Sequence, residues 1–308
     1  MSGFAYVLMA HTDGAGLAER VRRIHELSPE ARVLVRWNRR ELVDDPAVRE
    51  LQDTFHSDIE VRWGNWTLMA AALEALAEAR RRWDPDFTVL VSGQDHPVTP
   101  LAAWEDGVRR SGTDALLRPD SGTHLYRWRR RWHTLPSTPL DRALPAIGRV
   151  SRWIPVPVRV EQVGGATFML HHWRHDVPPV PYRKGLLWCT LSRRAVAAVL
   201  DAEATPQVRG FFASTLLPDE SFVHSVVASH PELLVTPLPT SYAVFTDEHD
   251  AHPRVMTATD VAAAVGSGAP FARKVVGAGN EFARAADPVV DAAVEGRADV
   301  PSAVRRPA

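Results

Sequence analysis

The run Phe4-Ala5-Tyr6-Val7-Leu8-Met9-Ala10 is apolar almost throughout, and Leu17, Val21, Ile24 and Leu27 then recur at helical spacing. A strand buried on both faces and followed by an amphipathic helix is a βα start. Arg32 to Trp37 predicts a second strand and Ile59 to Trp63 a third. Gly64-Asn65 can cap a helix in which Met69, Leu73 and Leu76 form the apolar face while Glu74, Glu78, Arg81 and Arg82 stay in solvent. Phe87 to Val91 reads as a fourth strand, followed by a helix from about Pro100 to Arg110 and a strand at Ala115 to Arg118. Parallel strands need crossover connections, so this alternation predicts an α/β fold: one Rossmann-type nucleotide-binding domain with a mainly parallel central sheet.

The periodicity weakens between Ser121 and Tyr182, a stretch rich in Trp, Arg and Pro that predicts irregular strands and long loops. It returns with a strand at Leu186 to Leu191, helices at Arg193 to Asp201 and Ser221 to Ser229, and a strand at Tyr242 to Phe245. From Asp287 the chain turns rich in Ala, Val, Arg and Pro. The expectation is one domain over residues 1–286 and a partly disordered tail over residues 287–308.

Lys plus Arg (36) nearly balances Asp plus Glu (37), for a net charge of −1. That excludes a surface-wide basic footprint for nucleic acid, so any anion site must be local. Cys189 is the only cysteine, which rules out an intrachain disulfide and favours the cytoplasm. The first apolar run is too short to span a bilayer, and no later run approaches about 18 apolar residues.

The fourth strand stops at Ser92-Gly93-Gln94-Asp95-His96-Pro97. Ligands of α/β sheets bind beyond the carboxyl ends of strands, so this turn is a candidate site. Asp84-Pro85-Asp86 precedes the same strand and therefore stands at its wrong end. Taken alone, Asp219 and Glu220 read as carboxylates placed at the start of a helix. The stretch Tyr126 to His133 alternates basic and aromatic residues, but one short stretch in a neutral chain does not make a nucleic-acid groove. His171 and His175 are four apart, yet Thr167 to Leu170 reads as strand and no third zinc ligand is adjacent.

Taken with Val61-Arg62-Trp63-Gly64 upstream and Pro218-Asp219-Glu220 downstream, the Ser92 to Pro97 turn resembles the core-2/I-branching glycosyltransferases. This is glycosyltransferase family 14, which includes the peptide O-xylosyltransferases. The likeness runs in order from about Tyr6 to Lys274. It implies a GT-A-like fold with an acceptor side in the irregular middle, and inverting, metal-independent transfer from a UDP-sugar to an acceptor hydroxyl. N-acetylglucosamine leads as the sugar and xylose follows. By resemblance Glu220 is the base, and Phe271-Ala272-Arg273-Lys274 supplies the pair that meets the diphosphate.

His11, Trp63, Gly64 and Asp95 fall on donor-side positions of the family, as does Asn38, where relatives have an Asp that meets uracil. Asn38 keeps an acceptor oxygen and adds an NH2 donor. Trp188 and Asp219 are candidates for the acceptor, and Leu187 replaces the Asp that precedes this Trp in xylosyltransferases. The implied partners are a nucleotide-sugar donor and a glycan, glycopeptide or small-molecule acceptor, with no cofactor, no metal and no nucleic acid. Animal relatives carry a Golgi membrane anchor, whereas the expectation here is an anchor-free bacterial enzyme. Two rivals are a non-catalytic sugar-binding module of the same fold, against which Glu220 and the Arg273-Lys274 pair argue, and a histidine-based metal hydrolase.

Overall fold

The computed structural model describes residues 3–38, 46–118, 128–135, 158–163, 166–247 and 252–296. Strand β1 (Phe4–Ala10) alternates its side chains between two cores. Val7 and Met9 join one cluster, while Phe4, Tyr6, Leu8 and Ala10 join the other. On the first face lie helices α3 (Trp66–Trp83), α5 (Arg193–Glu203), α6 (Pro206–Phe212) and α7 (Phe222–Ala228). On the second lie α1 (Gly14–Leu27) and α4 (Leu101–Ser111). A short helix, α2, spans Pro46–Arg49.

The strands are β2 (Arg32–Asn38), β3 (Thr54–Ser57), β4 (Phe87–Ser92), β5 (His96–Pro97), β6 (Ala115–Leu116), β7 (Arg130–Thr134), β8 (Val158–Val163) and β9 (Ala166–Trp173). They continue with β10 (Cys189–Ser192), β11 (Val235–Thr236), β12 (Ser241–Ala243) and β13 (Phe271–Arg273). The seven-stranded central sheet has the order β11-β6-β10-β4-β1-β2-β3. Its pairs are parallel except those of β10, which runs against both β4 and β6. This is the mainly parallel α/β sheet expected of a GT-A-like domain.

The reversal of β10 puts its start beside the carboxyl end of β4, with Cys189 opposite Leu90. The chain therefore leaves β6 and re-enters the sheet at β10 on the same edge. Those two points touch, since a Cβ built on Gly185 would lie 2.7 Å from the Arg118 carbonyl oxygen. Between them β7, β9 and β8 form a separate antiparallel sheet, as the irregular strands of the middle region suggested. The beginning of the Tyr126 to His133 stretch lies outside the described residues. No described helix is long and apolar enough to cross a membrane.

Two expectations need correction. The third strand is Thr54–Ser57, paired with Val35 to Asn38, and not Ile59 to Trp63. In the latter segment side chains satisfy the backbone instead of a ladder: Ser57 Oγ accepts from the Ile59 N–H, Thr67 Oγ1 accepts from the Arg62 N–H, and Arg36 Nη2 donates to the Ile59 carbonyl. The tail expected from residue 287 is instead helix as far as Val294, because α9 (Glu281–Val294) runs through that boundary. Phe282, Ala283, Ala286 and Val290 bury one face of it. Residues 297–308 lie outside the described residues. A last short helix, α8 (Val261–Gly266), packs beside α9.

Helix α9 is fastened by charge. Asp287 Oδ1 lies 2.9 Å from His96 Nε2 and 3.0 Å from Arg23 Nε, and Asp291 accepts from Arg23 at 2.8 Å. Burial raises the Asp287 carboxyl, but the hydrogen bond and charge of His96, joined by Arg23, bring it net below the usual carboxylate range. A pKa depressed in the native state stabilises above the unfolded value and is lost as pH falls through the native one. Asp287→Ala is therefore expected to cost about 1–2 kcal/mol in urea melts near neutrality. The gap from wild type should narrow below about pH 4, and a gap independent of pH would contradict the pairing.

Candidate active site

The turn that ends β4 and the distant Phe271–Arg273 segment form one unit. β5 pairs antiparallel with β13, Ala272 opposite His96, and β12 flanks β13 on its other side. The Val275 N–H also donates to the Gln94 carbonyl at 2.9 Å. Gly93 donates to the Met9 carbonyl at 2.8 Å, and a Cβ on it would sit 2.9 Å from that of Ala10, so the turn lies flush against the end of β1.

Asp95 is buried in this unit. It accepts from the Ser92 N–H at 3.2 Å and from Ser241 Oγ at 2.7 Å, and its Oδ1 pairs with Arg273 Nε at 3.4 Å. Burial pushes the Asp95 carboxyl up, opposed by Arg273, Ser241 and Ser92, and burial also lowers Arg273, with Asp95 opposing. Asp95 thus stands beside Arg273 as its buried counter-charge. The Arg273 guanidinium rests 4.7 Å from the ring centroid of Trp188, so one face of the indole expected to stack on a sugar is occupied by the cation.

A second brace comes from the end of β1. Asp13 caps α1 by accepting from the Gly16 N–H, pairs with Arg20 at 3.1 Å, and accepts from the Gly277 N–H at 2.9 Å. Arg20 Nη2 donates to the Val275 carbonyl at 2.6 Å. The loop after Arg273 is thereby tied to the first βα turn, which carries the exposed His11. Around it gather Lys274, which is half-buried, and His252. Burial lowers the His252 pKa, and the positive charges of Lys274, Arg273 and His11 lower it further. The His252 ring also meets Trp63 edge-on at 6.4 Å. His252 was not foreseen, since nothing in its local sequence marks it.

On the other side, Gly64 adopts a left-handed φ of 78° and its carbonyl accepts from the Leu217 N–H at 3.0 Å. A Cβ at Gly64 would lie 2.5 Å from Phe168, so only glycine fits. This contact fixes the 3₁₀ turn Pro218–Glu220 against the start of α3. Lys184 Nζ lies 3.1 Å from Glu220 Oε2. Asp219 is buried, and its carboxyl is pushed up to about 7 by burial and by the neighbouring Glu220 charge. Lys184 was also missed, because it precedes the reversed strand rather than following a parallel one.

Asn38 ends β2, and its side chain lies outside the described residues. Asp84 and Asp86 both pair with Arg193, at 3.2 Å each, at the amino end of β4. His171 lies on strand β9 and His175 beyond its end, so the two do not share a helix face. Among the described residues no group of three His, Cys, Asp or Glu could hold a metal ion.

The family profile described as Branch: Core-2/I-Branching enzyme matches residues 4–262. The chain belongs to the core-2/I-branching enzyme family. It is accordingly a glycosyltransferase by family, as the resemblance implied. No curated protein matches the sequence. Solved structures similar to it include a glucosyl-3-phosphoglycerate synthase from Mycobacterium tuberculosis, with 14% identity, a TM-score of 0.32, and coverage of 69% of this chain and 68% of that one. A mannose-1-phosphate geranyltransferase from Thermus thermophilus gives 11% identity and a TM-score of 0.30, covering 77% and 74%. Similarity this low bears on neither substrate nor mechanism.

Proposed function

We propose that this core-2/I-branching family member transfers a sugar from a UDP-sugar to an acceptor hydroxyl with inversion and without a metal. N-acetylglucosamine is the first choice of sugar and xylose the second. The observation that carries the reading is the joining of β5 to β13, which sets Arg273 and Lys274 beside the carboxyl ends of β1 and β4. Two cations braced there suit a diphosphate: the guanidinium offers a planar fork and the ammonium a point charge. They take the role that a divalent ion plays for a leaving nucleotide, while the lone Asp-x-Asp is spent on Arg193 at the far end of β4.

A sugar hydroxyl is a poor nucleophile at neutral pH, and Glu220 accepts its proton as the bond to the anomeric carbon forms. The carbon–oxygen bond to UDP breaks on the opposite face, and its electron pair goes to the diphosphate. Because the hydroxyl attacks from the face opposite the departing UDP, the anomeric centre is inverted. Acceptor choice falls to the chain between β6 and β10.

Turnover is expected to survive EDTA, measured as UDP release from UDP-N-acetylglucosamine; complete loss restored by manganese would exclude the cationic role. Changing Arg273 and Lys274 together to Ala should weaken UDP binding in calorimetry, and an unchanged affinity would count against the diphosphate assignment. Glu220→Gln should lower turnover by about 10² to 10⁴ while UDP affinity stays near wild type. If Glu220 were only a helix-start carboxylate, the same change would reduce stability modestly and leave the rate per folded molecule intact.

A further inference from the structure

Lys184 reaches Glu220 from a segment with little freedom to be elsewhere. The Gly185 N–H donates to the Glu220 carbonyl at 2.7 Å. Arg183 donates its N–H to Ser225 Oγ at 2.9 Å and accepts from the same hydroxyl at 3.2 Å. One residue past Gly185, the Leu186 carbonyl accepts from His224 Nε2 at 3.0 Å, and a Cβ on Gly185 would collide with that imidazole. Residues 183–186 are therefore stitched along α7 and the Pro218–Glu220 turn. The Lys184 and Glu220 side chains keep only 14% and 25% of their exposure, so water screens their 3.1 Å pair less than it would an open surface pair.

We propose that Lys184 is the positioning residue of the base: its ammonium is the positive charge that faces the Glu220 carboxylate and holds it in one orientation. This rests on the reading of Glu220 as base. The titratable groups facing the pair are Asp219, adjacent in the chain, and His224 from α7. Burial first and then Lys184 keep His224 low, so it is a neutral hydrogen-bond donor to Leu186. Burial and then the Glu220 charge raise the Asp219 carboxyl, with Lys184 opposing. In the reaction Lys184 keeps its own proton throughout. Glu220 takes the proton of the acceptor hydroxyl, becomes neutral, and later returns the proton to water, which restores the ion pair for the next cycle.

The test is Lys184→Met, read by ¹³C NMR titration of the glutamate carboxylates with Glu220 assigned by its loss in Glu220→Gln. UDP release from UDP-N-acetylglucosamine is followed across pH on the same preparations. With the cation gone, the Glu220 carboxylate and the acid limb of the rate profile should both move up. At neutral pH kcat should fall while UDP affinity holds, and Lys184→Arg should restore most of the loss. Lys184→Gln, which drops the charge but keeps a hydrogen-bond donor, gives the same reading should Met perturb folding. A Glu220 titration that stays in place, or a loss of rate that follows a loss of UDP affinity, overturns the proposal. Full turnover by Glu220→Gln would instead overturn the reading of Glu220 as base, and an inactive Glu220→Gln beside an unmoved titration in Lys184→Met would overturn this inference alone.

Discussion

The buried pair of Asp95 and Arg273 is the constraint around which the site is assembled. A guanidinium taken out of water needs a counter-charge fixed in place, and an uncompensated buried charge costs several kcal/mol. Here the counter-charge sits on a turn at the end of β4 and the cation on β13, more than half the chain away. The pair therefore demands that β13 dock on that turn, and the β5–β13 ladder, the Ser241 hydroxyl and the Trp188 ring complete the enclosure. Asp13 and Arg20 repeat the arrangement one strand over, tying the loop after Arg273 to the first βα turn. Fixed dipoles and charges that are already in position need no reorganisation when a new charge develops beside them.

The other half of the site depends on a different kind of constraint. Gly64 lets Phe168 approach to a distance no side chain would permit, and its carbonyl anchors Leu217 just before the Pro-Asp-Glu turn. Packing and backbone hydrogen bonds thus set where the Glu220 main chain lies. Its side chain then meets a cation from the segment before β10, with the buried Asp219 next to it in the chain.

Most of this was legible in the sequence where the pattern is local. The buried strand Phe4–Ala10, the amphipathic face of Met69, Leu73 and Leu76, and the abrupt stop after Val91 each carry their own signal, and Glu220 and the Arg273-Lys274 pair lie within short motifs. What escaped is non-local. Ile59 to Trp63 has the look of a strand, but its backbone groups are claimed by Ser57, Thr67 and Arg36 before a ladder can form. Helix α9 is built from small residues, so its buried face of Phe282, Ala283, Ala286 and Val290 reads as low in pattern, and its ion pairs with Arg23 and His96 join residues some 190 or more positions apart. Lys184 and His252 reach the site only through tertiary contacts, and the pairing of Asp95, evident in its turn, with Arg273 is likewise tertiary.

The reversed strand β10 has a consequence for how such proteins diversify. Because β6 and β10 run in opposite directions side by side, the chain departs and returns at one rim of the sheet, with Arg118 and Gly185 in contact. Everything between those residues is a closed detour, and lengthening such a detour costs entropy only as the logarithm of its length. Among the described residues the detour adds no strand to the central sheet, its own three strands pairing in a separate one. Its returning limb nonetheless delivers Lys184 and Trp188, so a change that stops at Arg183 keeps the Lys184–Glu220 pair and the stacking of Arg273 on Trp188, and one that extends past Trp188 replaces both.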